Sequence, residues 1–307
     1  MAAFLIVSTQ LIQFFLVIGS GWVMAKKGII CRESLPYLSK LITNLFLPAY
    51  AFYSTYHGND SQTLLNRIYY LLFALCFYII LALLLFFLSK AMKLTGARQK
   101  VFQALFLFGN TGFIGMPLIQ ALYGEEGMVY MALFSIVDQG LLWSYGLWLT
   151  DSKSDRGFHI RNFLNPMTIT IFSALLLILL DVQIPIIVES SIILLGRAST
   201  AACLIYLGGL LNFSNWKKAL TNKELYIASV VKLLLCPLLT WRFLSCIGMQ
   251  SAMLGTSVIL AGLPTMTIVP MLVQNGGNEG EYAISIAMIT LIFSAATLPL
   301  ISYFALT

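Results

Sequence analysis

Apolar residues in this chain come in runs of about twenty, not in the three-and-four spacing of a helix half exposed to water. The stretches 3–24, 35–55, 67–89, 101–123, 127–149, 163–181, 186–211, 223–247, 252–274 and 283–304 are mainly apolar, and short polar turns separate them. An α-helix rises 1.5 Å per residue, so about 20 apolar residues cross the hydrocarbon layer of a bilayer. The pattern predicts ten membrane-spanning helices. A barrel would alternate in polarity over segments of about ten residues. The stretch YYLLFALCFYIILALLLFFL, residues 69–88, instead reads as apolar all round. The expected class is an all-α integral membrane protein.

Composition agrees. Of 307 residues, 59% are hydrophobic and 10% charged, against about 25% charged in a soluble domain. Mean hydropathy is +0.89. The cations orient the chain, because short cytoplasmic loops collect Lys and Arg. Loops after the odd-numbered spans hold thirteen of them: Lys26, Lys27 and Arg32; Lys90, Lys93, Arg98 and Lys100; Lys153, Arg156 and Arg161; Lys217, Lys218 and Lys223. Loops after the even-numbered spans offer Arg67, with Arg242 near the end of the eighth span. This predicts a multi-pass protein of the cell (inner) membrane with both termini outside. The formal charge of +6 is thus an orientation signal spread over several loops, and no nucleic-acid partner is expected. No Lys or Arg precedes the first span, so it reads as a retained helix and not as a cleaved signal.

The chemistry of an enzyme is missing from the sequence. Cys31, Cys76, Cys203, Cys236 and Cys246 are scattered without CxxC spacing and read as packing residues. His57 and His159 fall in loops on opposite faces, so no His-based metal or catalytic cluster can be assembled. A P-loop is absent, and Gly109, Gly112 and Gly115 lack the following lysine or the strand context of a nucleotide motif. The expectation is no enzyme, no cofactor and no metal.

Two spans are interrupted. LFGNTGFIGMPLIQ, residues 107–120, places three glycines, an asparagine, a threonine and a proline inside the fourth; AGLPTMTIVP, residues 261–270, does the like in the ninth. Gly109 and Gly262, Pro117 and Pro270, Gly124 and Gly277, Glu126 and Glu279, and Gly127 and Gly280 are each 153 residues apart, half the chain. The spacing predicts a duplication, residues 1–153 and 154–307, each of five spans. An odd number of spans puts the second copy in the membrane upside down, the arrangement of secondary transporters.

Both interruptions lie about nine residues into their spans, roughly 14 Å deep at 1.5 Å per residue. An unpaired backbone group at that depth costs several kcal/mol, so irregular backbone survives only inside protein or beside a wet cavity. Pro117 would start one half-helix, and Pro264 or Pro270 another, each aiming its positive N-terminus at the midplane, where an anion is favoured. Asn110, Thr111, Gly112, Pro117, Pro264, Thr265 and Thr267 become candidate substrate-binding residues. Asp138, Arg197 and Lys232 lie deep in spans five, seven and eight. A buried charge must pair or face a cavity. Asp138 and Lys232 form a structural ion pair, or else Asp138 couples a proton or sodium ion while Lys232 or Arg197 attracts an anion.

FGNTGFIGMPLIQALYGEEG, NFLNPMTIT, VVKLLLCPLL and SAATLPLISY, in this order and spacing, resemble the auxin efflux carrier family, which includes bacterial malate and malonate carriers and plant PIN proteins. The resemblance implies a fold similar to bile acid:sodium symporters, with spans 1, 2, 6 and 7 as scaffold, spans 3–5 and 8–10 as a mobile transport domain, and broken spans 4 and 9 crossing at the substrate. It also implies a homodimer formed through the scaffold. Asn110 matches the family's crossover asparagine, whereas Leu263 and Pro264 stand at the matching place in the ninth span, unlike the plant arrangement. The short loop between spans 5 and 6 looks bacterial. The expected function is secondary active transport of small organic anions such as malate, malonate or lactate by alternating access in a lipid bilayer. An anion receptor that binds without transporting, and an anion channel, are the competing readings.

Overall fold

The computed structural model describes residues 2–56, 61–151, 166–213, 221–249, 251–277 and 279–305. His57, His159, Lys153, Arg156, Arg161, Lys217, Lys218 and the expected boundary at 153/154 lie outside the described residues. In chain order the helices are α1 (Ala2–Lys26), α2 (Leu35–Leu41), α3 (Leu47–Tyr56), α4 (Ser61–Asn66), α5 (Tyr69–Ala91), α6 (Gly96–Leu107), α7 (Met116–Leu141), α8 (Leu147–Thr150), α9 (Pro166–Leu179), α10 (Ile186–Phe213), α11 (Lys223–Val230), α12 (Cys236–Cys246), α13 (Ser251–Ala261), α14 (Ile268–Asn275) and α15 (Gly280–Ala305). Among the described residues there is no strand, only one isolated antiparallel bridge.

Among the described residues, four helical stretches are long and apolar enough to cross a membrane: Tyr69–Ala91, Ile186–Phe213, Lys223–Cys246 and Gly280–Ser302. The first expected span is the unbroken α1, whereas several others are divided into shorter pieces, and the divisions have a local cause. Single π-helical turns cover Ile42–Phe46, Thr111–Gly115, Leu142–Gly146 and Val231–Leu235. Three of these run straight into a helix whose second residue is proline: Pro48, Pro117 and Pro237. Proline has no N–H to donate and its ring crowds the carbonyl four residues back, so the chain widens by one residue to pass it. The fourth turn has no proline. There the Ser144 hydroxyl donates to the Gly140 carbonyl at 2.6 Å, a local competitor for the helical bond.

The polarity of α5 runs inside out. Tyr70, Ala74, Tyr78, Leu81, Leu85 and Ser89 form the buried stripe, at the three-and-four spacing of one helix face. The opposite face shows Leu72, Ile80 and Phe87 at 67%, 65% and 66% exposure. Such a face is stable only against hydrocarbon. Residues 69–88 are therefore not apolar all round, because two tyrosine hydroxyls point into the bundle.

Helices α1, α3, α9 and α10 pack on one another, while α5, α6, α7, α11, α12, α13 and α15 make a second set of contacts. The two groups meet mainly through α1 on α15 and α3 on α7. The cysteines divide: Cys203 and Cys236 are buried, and Cys31, Cys76 and Cys246 are exposed. Packing accounts for the first two only.

Candidate functional site

Helix α6 stops at Leu107 and α13 stops at Ala261, and the segments that follow meet. The Asn110 N–H donates to the Pro264 carbonyl at 2.8 Å, and the Met266 N–H donates to the Phe108 carbonyl at 3.0 Å. These bonds enclose the Gly109–Thr265 bridge. A Cβ on Gly109 would sit 3.0 Å from the Leu263 Cβ, so the close approach needs the glycine. Thr265 adds two links: its N–H donates to the Thr290 hydroxyl at 3.2 Å and its hydroxyl to the Leu105 carbonyl at 2.8 Å. Two interruptions that would each leave backbone groups bare satisfy one another instead.

Beyond the crossing, each chain resumes a helix. The Asn110 carbonyl accepts from the Ile114 and Gly115 N–H groups at 3.1 and 3.0 Å, starting the turn that leads into α7. Pro117 falls in the first turn of α7, where a missing N–H costs nothing. Thr267 precedes the first residue of α14. Pro264 stays in the broken segment and Pro270 is the third residue of α14, so neither begins that helix. Both half-helices start beside the crossing, bringing two positive dipole ends together. The Thr267 hydroxyl is buried there with no hydrogen-bond partner among the described residues.

Asp138 reaches the same place from α7. Its carboxylate accepts from the Tyr78 hydroxyl, from the Thr111 hydroxyl at 2.8 Å and from the Gln139 amide at 3.2 Å. The Gln139 amide oxygen in turn accepts from the Trp143 indole at 3.0 Å. A buried carboxylate needs such donors, and one of them sits in the turn right after the break. Lys232 is buried in the π-helical turn before α12, its ammonium 5.8 Å from the centre of the Phe77 ring. It lies within electrostatic range of Asp138, but among the described residues no ion pair within 4.0 Å joins them. Direct pairing is therefore not what holds the carboxylate. Arg197 is exposed on α10 and is not brought to the crossing.

Tyr50 of α3 approaches from the other helix group. A Cβ on Gly112 would collide with its hydroxyl, and a Cβ on Gly196 of α10 would lie 3.1 Å from its Cα. Neither Tyr50, Tyr78, Gln139 nor Thr290 was singled out by sequence. Tyr78 alone left a signal there, as a hydroxyl in mid-span.

A helical bundle that shows apolar side chains outward and joins two broken helices around buried polar groups fits a membrane transporter. Comparison with known proteins gives that class directly. The family model described as Membrane transport protein matches residues 6–157 and again residues 152–302. The chain belongs to that family, the auxin efflux carrier family, whose members are transporters and not enzymes. An uncharacterized transporter of Methanothermobacter thermautotrophicus is 21% identical over 293 residues, covering 91% of this chain and 92% of that protein. One of Schizosaccharomyces pombe is 26% identical over 149 residues, which is 41% of this chain and 32% of the yeast protein. The match thus spans about a third of the yeast relative's length.

Proposed function

We propose that the protein is a secondary active transporter of small organic anions, carboxylates of the malate, malonate or lactate kind, working by alternating access. The observation that carries this reading is the crossing itself: two broken spans joined backbone to backbone between Phe108–Asn110 and Pro264–Met266, with a helix starting on either side. Dipole ends and a buried hydroxyl without a partner favour a guest that brings negative charge and acceptor oxygens. Asn110, Thr111, Gly112, Thr265 and Thr267 line this guest's place in the proposal, with Lys232 supplying longer-range positive potential.

The reading takes ten spans in two inverted repeats, which the twofold family match and the 153-residue spacing support. Within the proposal, spans 1, 2, 6 and 7 stand still while the others move. The termini face outward and the protein works in the cell membrane as a homodimer. Asp138 carries the coupling ion, H⁺ or Na⁺, because its carboxylate is bonded to the turn that forms half of the crossing.

The test is flux of radiolabelled malate, malonate and lactate into liposomes under imposed voltage, proton and sodium gradients. Asn110→Ala and Pro117→Ala should abolish it; unchanged flux in both would overturn the site. Asp138→Asn should lose gradient-driven accumulation and keep exchange. Saturable binding without flux would make the protein a receptor.

A further inference from the structure

A cleft of about 360 Å³ lies apart from the crossing, on the face that carries the basic loops. That volume is within the range of small-molecule sites. One wall comes from the α1–α2 connection, the start of α2 and the end of α10; the other comes from the end of α14 and the start of α15. It therefore opens between the two groups of helices. Arg32 stands on the first wall, and Gln274, Asn275 and Glu281 on the second.

The floor is a hydrogen bond between the groups: the Asn275 amide donates to the Ser39 hydroxyl at 2.9 Å. Ser39 is fully buried. This bond ties α14 to α2 beside the cleft. Above it, Arg32 is exposed and makes no ion pair among the described residues. A guanidinium offers five N–H donors in a planar fork that matches a carboxylate.

We propose that this cleft is the loading subsite for the carboxylate on the basic-loop face, with Arg32 as its receiving group and the Gln274 amide as a second donor. The inference deepens the proposed function and rests on it. A guest arriving from this face meets Arg32 first, then passes inward once the Asn275–Ser39 bond opens. Glu281 on the facing wall repels the same guest, so the subsite is one of transit.

The experiment compares malate uptake in inverted membrane vesicles, where the basic-loop face is outermost, with uptake in intact cells. Arg32→Gln should raise KM about tenfold in inverted vesicles and leave it unchanged in cells; Arg32→Lys should recover part of the loss. Glu281→Gln should lower KM on the same face alone. Raising ionic strength should increase the wild-type KM on that face and not that of Arg32→Gln, because an exposed charge is screened. Equal shifts on both faces, or none, would overturn the subsite while leaving the transport reading standing. Absence of flux of malate, malonate and lactate in the wild-type protein would remove both.

Discussion

Two places in this molecule bring backbones almost into contact, and they do so by opposite means. Where α1 crosses α10 both helices are unbroken, and glycine makes the room. A Cβ on Gly21 would lie 2.8 Å from the Ile205 Cα, and one on Gly208 would lie 2.7 Å from the Trp22 nitrogen. Where the fourth and ninth spans meet, the helices stop and the backbones are joined by hydrogen bonds. The first contact is steric and leaves every amide in its own helix, so nothing in it can be exchanged for a guest. The second consists of bonds worth about 1 kcal/mol each, whose donors another acceptor can take over. One seam fixes the bundle, and the other can be negotiated.

The largest effect should come from the steric seam. Gly208→Val puts a branched side chain against the α1 backbone and should cost ~3 kcal/mol or more, read as lost folded yield in detergent. Gly19→Ala, with no atom within 4 Å of the added carbon, should leave the yield unchanged. Equal losses would erase the distinction.

Gly112→Ala tests the other region. Its obstacle is the Tyr50 side chain, hydroxyl and ring edge, with no backbone atom among the nearest neighbours. Folding should survive while transport falls about tenfold, equivalent to ~1.4 kcal/mol in the transport step. Adding Tyr50→Phe should restore part of it. A smaller change is expected from Thr265→Val, which strips the Leu105 carbonyl of its hydroxyl donor. The cost should be ~1 kcal/mol, seen as a lower Tm, with recovery in Thr265→Ser.

The smallest belongs to neither region. Arg98 donates to Glu224 at 2.6 Å and lies 4.5 Å from the centre of the Tyr282 ring, joining α6, α11 and α15. Being 34% exposed, it should contribute less than ~1 kcal/mol. Arg98→Gln should lower Tm slightly, and added salt should narrow the difference. A large drop would make this clamp a third fixed point.

Much of this was legible because membrane burial writes itself plainly in a sequence. Apolar runs gave the helices, and Gly, Asn and Pro at mid-depth gave the two breaks near Asn110 and Pro264. What stayed hidden depends on the direction a side chain takes. Tyr78 sits in twenty apolar residues, and only the buried stripe of α5 turns its hydroxyl toward Asp138. Arg197 is as deep in its span as Asp138, yet the rotation of α10 carries it outward. Depth can be counted along a chain, whereas azimuth is set by packing partners. The Pro-linked π-helical turns were likewise invisible, since proline in a span predicts a disturbance and not its form.

The turn inside α7 has a mechanical consequence. Gly124 takes φ 57° and ψ −142°, a conformation open to glycine and strained for other residues, and the helix reverses there without an intervening loop. The short arm that leaves Asn110 and the long arm that bears Asp138 are therefore a bell-crank pivoting on one residue, with the Thr111–Asp138 bond as its brace. With no slack at the pivot, tilting either arm must tilt the other. On the proposed function, an ion at the carboxylate and a guest at the crossing would pull on the same lever.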